Sequence, residues 1–181
     1  MAKHEEVRSE PKNIKKVLLF STVYDRDRGR GNPIFPMISY IDWQARLIGH
    51  LNKWGYQVYL KPHPESPLAP PQVFTEELNV TIINGRFEDM SERMDLYFFD
   101  FTQTSVFKPA ILTDIPIVFV DFKGLDWVEG ARELLEKRAE VLEGYFDENN
   151  RVHVNWEEIQ KALETSIKKV SNTEFVDRYY K

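Results

Sequence analysis

The segment Ile115–Phe122, IPIVFVDF, is apolar until Asp121, with no alternation of apolar and polar positions. A strand built this way has no face suited to water, so it belongs in a sheet covered on both sides, as parallel sheets are. Lys15–Val23 (KKVLLFSTV) and Asp95–Asp100 (DLYFFD) have the same character, and Tyr56–Pro62 (YQVYLKP) and Asn79–Gly85 (NVTIING) are weaker examples. Helical patterns lie between them. Trp43, Leu47, Ile48, Leu51 and Trp54 fall on one helical face, and Gly55 stands where a helix C-terminal glycine belongs.

FEDMSERM (Phe87–Met94) predicts a short helix, and SVFKPAILTD predicts another with Pro109 in its first turn. WVEGARELLEKRAEVLEGYF (Trp127–Phe146) reads as helical throughout. NWEEIQKALETSIKKV is helical too, with Asn155 and Glu158 placed as a capping box. Alternating elements of this kind predict an α/β fold with a mostly parallel, five- or six-stranded sheet and helices on both faces. Residues 1–14 are polar and aperiodic and read as a tail or linker; residues 15–181, including the C-terminal helices, form the single expected domain.

Composition narrows the function. A hydrophobic fraction of 42% and an aromatic fraction of 13% over 181 residues supply a real core. The net charge of −5 argues against a general nucleic-acid binder. There is no cysteine, which excludes disulfides and thiolate metal sites. No apolar run approaches the ~20 residues that span a bilayer, and the N-terminus lacks the apolar core of a signal peptide. The expected location is the cytoplasm, with peripheral contact at the inner membrane face compatible with it.

In open α/β sheets, ligands bind beyond the carboxyl ends of the strands, where strand order reverses. Three polar loops leave predicted strand ends: Asp25–Asn32, His63–Ser66 and Asp100–Ser105. A strand order of 3-2-1-4-5 makes them converge. In the first, Arg26, Arg28 and Arg30 alternate with Asp25, Asp27, Gly29 and Gly31. Guanidinium forks suit diphosphates and glycines allow close backbone approach, though the loop equally fits a solvated turn whose charges nearly cancel. In the second, His63 stands between Pro62 and Pro64, as a phosphate donor, an acid–base group or a simple loop histidine. In the third, Asp100, Thr102, Thr104 and Ser105 form a strand-to-helix junction, either an anion site or an ordinary N-cap. A metal site from His63, Glu65 and Asp100 is disfavoured, because one histidine at this spacing fits no metal motif. A phosphate-ester hydrolase using Asp100 lacks a second acidic cluster. Trp127 and the tail EFVDRYYK are open between ligand or partner contacts and core packing.

YLKPHPE followed by DLYFFDFTQTSVFKPAILTDIPIVFVD resembles the C-terminal half-domain of GT-B-fold transferases, the bacterial surface and capsule polysaccharide enzymes and the CDP-glycerol glycerophosphotransferases. The resemblance covers Lys15 to Phe122. It rests on a KxHP segment after one strand and an aspartate–aromatic–Ser/Thr segment after a later one. It implies a Rossmann-like domain that binds a nucleotide sugar or CDP-glycerol as substrate, with no separate cofactor and no metal. His63 and the Thr104/Ser105 pair would contact the phosphates, His63 as the catalytic candidate, with help from the loop after the first strand. It also implies a carbohydrate acceptor and an N-terminal GT-B half on the same or another chain. Two departures stand out. Where many GT-B enzymes carry a ribose-holding glutamate, this chain reads Phe107-Lys108-Pro109-Ala110, and it holds one Rossmann-like unit where those enzymes have two. The rival is a stand-alone, non-catalytic α/β module that binds a nucleotide or a partner.

Overall fold

Buried strands in the middle of a sheet need a partner for every backbone N–H and C=O on both edges. The computed structural model supplies those partners. It describes residues 15–24, 36–64, 66, 68–90, 93–101, 104–123 and 126–180. Among these residues seven strands form one sheet: β1 (Lys16–Phe20), β2 (Gln57–Lys61), β3 (Thr81–Ile82), β4 (Leu96–Phe99), β5 (Ile117–Asp121), β6 (Glu140–Phe146) and β7 (Val152–Val154). Their order is β3-β2-β1-β4-β5-β6-β7. Every pairing is parallel except the last, between β6 and β7. This is a Rossmann-like α/β fold, with the strand order 3-2-1-4-5 at its centre.

Strand alternation divides the core in two. Val17, Leu19, Val58, Leu60, Leu96 and Phe98 face one side. There they meet helices α1 (Met37–Lys53), α2 (Gln72–Glu76) and α5 (Trp156–Thr165), through Trp43, Leu47, Phe74, Ile159 and Leu163. Leu18, Phe20, Tyr59, Tyr97, Phe99 and Phe119 face the other. They meet α3 (Phe107–Ile111), α4 (Ala131–Arg138) and α6 (Glu174–Tyr179), through Ile111, Leu135 and Phe175. The C-terminal aromatic segment therefore packs on its own core. The caps follow the sequence signals. Gly55 after α1 has φ +87°, and Asn155 accepts from Glu157 N (3.0 Å) and Glu158 N (3.3 Å) at the start of α5. Glu158 returns to the Asn155 side-chain amide (3.1 Å), not to its backbone as a full capping box would.

Two expected helices are corrected. Trp127–Phe146 is not one helix: α4 stops at Arg138 and the chain turns into β6. The reason lies in the faces. Val141 packs into one core and its neighbour Leu142 into the other, which a strand allows and a helix does not. The parallel edge of β5 takes up the backbone of β6 from Glu140 to Glu143. Arg138, 1% exposed, anchors the turn by donating to Thr113 O (2.8 Å) and Ile115 O (3.1 Å). The β6–β7 hairpin carries the sheet past the expected five or six strands. Phe87–Met94 holds no helix among its described residues, 87–90 and 93–94. No described helix is long and apolar enough to cross a membrane.

Gly144 shows how tightly β6 is seated. A Cβ there would lie 2.3 Å from Phe122 Cε1, and Phe122 is itself buried. Gly144→Ala is expected to lower the thermal midpoint, with an overpacking cost of about 1–3 kcal/mol. Thermal unfolding followed by circular dichroism checks this; an unchanged midpoint would show that the ring moves aside freely.

Candidate functional site

A cleft of about 850 Å³ opens at the carboxyl ends of β1, β2 and β3 and in front of α3. Its position follows from coverage. On the sheet face that carries Phe20 and Tyr59, helices cover β4, β5 and β6, while over β1, β2 and β3 the described residues offer the loop after β3 and no helix. The space left there is the cleft. Phe20, Ile83, Phe87 and Val106 give it an apolar side, and Lys61, His63, Arg86 and Glu88 give it charged or ionisable groups.

His63 follows β2 between two prolines, and its carbonyl accepts from Ser66 N (3.0 Å). Ser66 Oγ also accepts from Tyr24 N (2.9 Å) and donates to Leu68 O (2.8 Å), so one hydroxyl ties the loop after β2 to the chain leaving β1. Thr104 and Ser105 line the same cleft from the β4 side. Thr104 O accepts from Phe107 N (3.1 Å), and its Oγ1 lies 3.4 Å from Val106 N. The helix they were expected to begin starts later, at Phe107, and is five residues long. So short a helix has little dipole to offer, and what this junction presents is hydroxyls and turn N–H groups. The structure thus brings together His63, Thr104 and Ser105. Arg26, Arg28, Arg30, Gly29, Gly31 and Thr102 lie outside the described residues.

Asp100 does not line this cleft. It lies 5% exposed, where its Oδ2 accepts from Trp43 Nε1 (2.9 Å) and its Oδ1 from Tyr40 OH (3.2 Å). Tyr40 OH in turn accepts from Thr22 N (3.0 Å) and Gln44 Nε2 (2.8 Å), and Gln44 Oε1 accepts a hydrogen bond from the Tyr24 hydroxyl. This network joins the ends of β1 and β4 to α1. Burial outweighs the two donors and pushes the Asp100 carboxyl up to about 7. Burial also raises the Tyr40 and Tyr24 phenols, and the Asp100 charge adds to both shifts. Trp127 is likewise turned inward: its Nε1 donates to Asp121 Oδ2 (2.8 Å) and its ring meets the edge of Phe119.

Sequence reasoning missed Lys61 and the whole loop Ile83–Glu88. The loop leaves a strand end like the other three, but its second half was read as a helix. Lys61 fell inside the expected strand Tyr56–Pro62 and supplies the lysine of the KxHP segment, but was given no role of its own. No group of three or more potential metal-ligating side chains occurs among the described residues. In comparison with known proteins, no family model matches the chain and no curated sequence matches it.

The Asp100 shift has a sign that can be checked. A carboxyl raised above its unfolded value, ~4, favours the fold fully below that value, and the contribution is lost as pH rises through about 7. The melting midpoint of the wild type is therefore expected to fall more steeply than that of Asp100→Asn between about pH 4.5 and about pH 7.5. Parallel profiles would show that Asp100 has the same proton affinity folded and unfolded.

Proposed function

We propose that this chain is the donor-binding half of a GT-B-type transferase of surface carbohydrate assembly, binding a nucleotide sugar or CDP-glycerol through its diphosphate. The observation that carries the reading is one cleft, beyond the strand ends beside the reversal of strand order, lined by His63, Thr104 and Ser105 together. These are the residues that the KxHP and Ser/Thr segments single out by resemblance. Its volume of about 850 Å³ suits a nucleotide-sized ligand. The wall made by Phe20, Ile83 and Phe87 fits a base or a sugar face, and the polar residues fit phosphate oxygens.

In transfer from a nucleotide sugar the bond between the anomeric carbon and the diphosphate breaks and the nucleoside diphosphate leaves. In transfer from CDP-glycerol the bond between the two phosphates breaks and CMP leaves. In both, negative charge builds on the leaving phosphate. Donors fixed beforehand at that position stabilise the charge. His63 is the catalytic candidate for this role, with Thr104 and Ser105 holding the phosphates. The group that activates the acceptor belongs to the second half of a GT-B cleft. The chain by itself is accordingly expected to bind donor with little or no turnover.

The test is calorimetric titration with a nucleoside diphosphate and the matching nucleoside. Each hydroxyl contact is worth on the order of 1 kcal/mol. Replacing Thr104 and Ser105 by alanine together is expected to weaken the diphosphate about tenfold or more and the bare nucleoside much less. His63→Ala is expected to weaken the diphosphate too, with its cooperative melt intact. Equal losses for both ligands would move the Thr104–Ser105 pair to the base or ribose, and failure of the wild type to bind any nucleoside diphosphate would sink the reading.

A further inference from the structure

Lys61 closes β2 at a position made for an apolar side chain. Val58 and Leu60 face one core and Tyr59 the other, so alternation puts Lys61 on the Tyr59 side, the side of the cleft. Its register partner on β1 is Phe20, and on the other flank Ile83 N donates to Leu60 O (2.8 Å). Phe20, Lys61 and Ile83 all line the cleft, so the cation lies on its floor between two apolar residues. Lys61 is only 5% exposed.

An ammonium in such a place loses much of its hydration and needs a compensating charge. The described residues provide little. Nζ donates to Gly85 O, a neutral carbonyl, which uses one of its three donors. Among the described residues no carboxylate lies within ion-pair distance of it. Glu88, exposed at the cleft wall, acts on it only through its field. Burial lowers the Lys61 pKa, and Glu88 opposes that shift. The other cation-forming residues of the cleft, His63 and Arg86, come from loops, whereas Lys61 is fixed by strand pairing on β2.

The geometry points to Lys61 as the anion anchor of the cleft, its ammonium meeting a phosphate group that supplies the counter-charge missing from the strand end. The inference rests on the reading of the cleft as a diphosphate site and adds the residue that makes charge, rather than hydroxyl count, the basis of selection. A neutral sugar or nucleoside would leave Lys61 uncompensated and be disfavoured.

Two variants test it, each titrated with inorganic pyrophosphate and with a nucleoside diphosphate. Lys61→Met keeps the aliphatic stem, and Lys61→Gln keeps a donor for Gly85 O without the charge. Both are expected to lose about tenfold or more in affinity for either probe, as befits a hydrogen bond from a charged group. Without ligand, Lys61→Met is expected to melt at or above the wild-type temperature, because a poorly compensated charge has been removed. The stabilisation that pyrophosphate confers on the wild type should shrink in both in step with the lost affinity. Wild-type affinity in a folded variant, or a lower ligand-free melt with affinity unchanged, makes Lys61 a structural lysine and overturns the inference. Binding of pyrophosphate but of no nucleoside diphosphate, with loss in both variants, would keep Lys61 and discard the transferase reading. Absence of wild-type binding to either probe would discard both.

Discussion

β1 pairs in parallel on both sides, with β2 through Lys16–Phe20 and with β4 through Val17–Leu19. The other features of the site depend on this. A crossover between parallel strands is right-handed, so chains that leave in opposite directions along the sheet cover opposite faces. After β1 the chain moves toward β2, and α1 covers one face; after β4 it moves toward β5, and α3 covers the other. The two strand ends therefore part company at their carboxyl edge. The cleft opens beside that division, bordered by Ser21 just past β1 and by Thr104 and Ser105 from the β4 side.

Behind the cleft, the division is held by a polar network buried in the first core. Asp100 at the end of β4 takes hydrogen bonds from Tyr40 and Trp43 of α1, and Tyr40 takes one from Thr22 beyond β1. A buried network with its members paired rigidifies the elements it joins. Here it fixes α1 against the ends of β1 and β4, which sets where the loops after those strands begin. Asp100 thus belongs with the support of the site and not with its wall. It shares a segment with Thr104 and Ser105, yet the β4 end directs its carboxyl toward α1 on one face while the hydroxyl residues emerge toward the other.

Much of this was legible in the chain. The apolar runs of β1, β4 and β5 announced their burial, and Gly55 and Asn155 announced the helix ends they occupy, while the strand order 3-2-1-4-5 was a condition for the loops to converge and came from the structure. His63, Thr104 and Ser105 were legible as cleft residues because each follows a strand end. β6 was not, since Leu134, Leu135, Val141 and Leu142 fit a helical stripe about as well as a strand. The glycine inside that run, Gly144, was the available sign. The roles of Lys61 and Ile83–Glu88 were not legible either: the KxHP segment marks Lys61 as part of a pattern, but only its neighbours show it to be shielded.

The sequence by itself determined that this is a doubly covered, mostly parallel α/β sheet, because strands without a polar face and helices with one apolar stripe have few other ways to hide their surface. It also determined which side chains stand at strand ends, since the ends are marked by proline, glycine and polar residues. The tertiary structure alone decided which of those ends meet and which turn away. Val141 and Leu142 became strand residues because the edge of β5 had backbone groups to satisfy. Asp100 was drawn inward because α1 placed two donors against it. Lys61 became a shielded cation because β1 and the loop after β3 put Phe20 and Ile83 on either side. Each outcome depends on a neighbour distant in the chain, and local pattern carries no record of such neighbours.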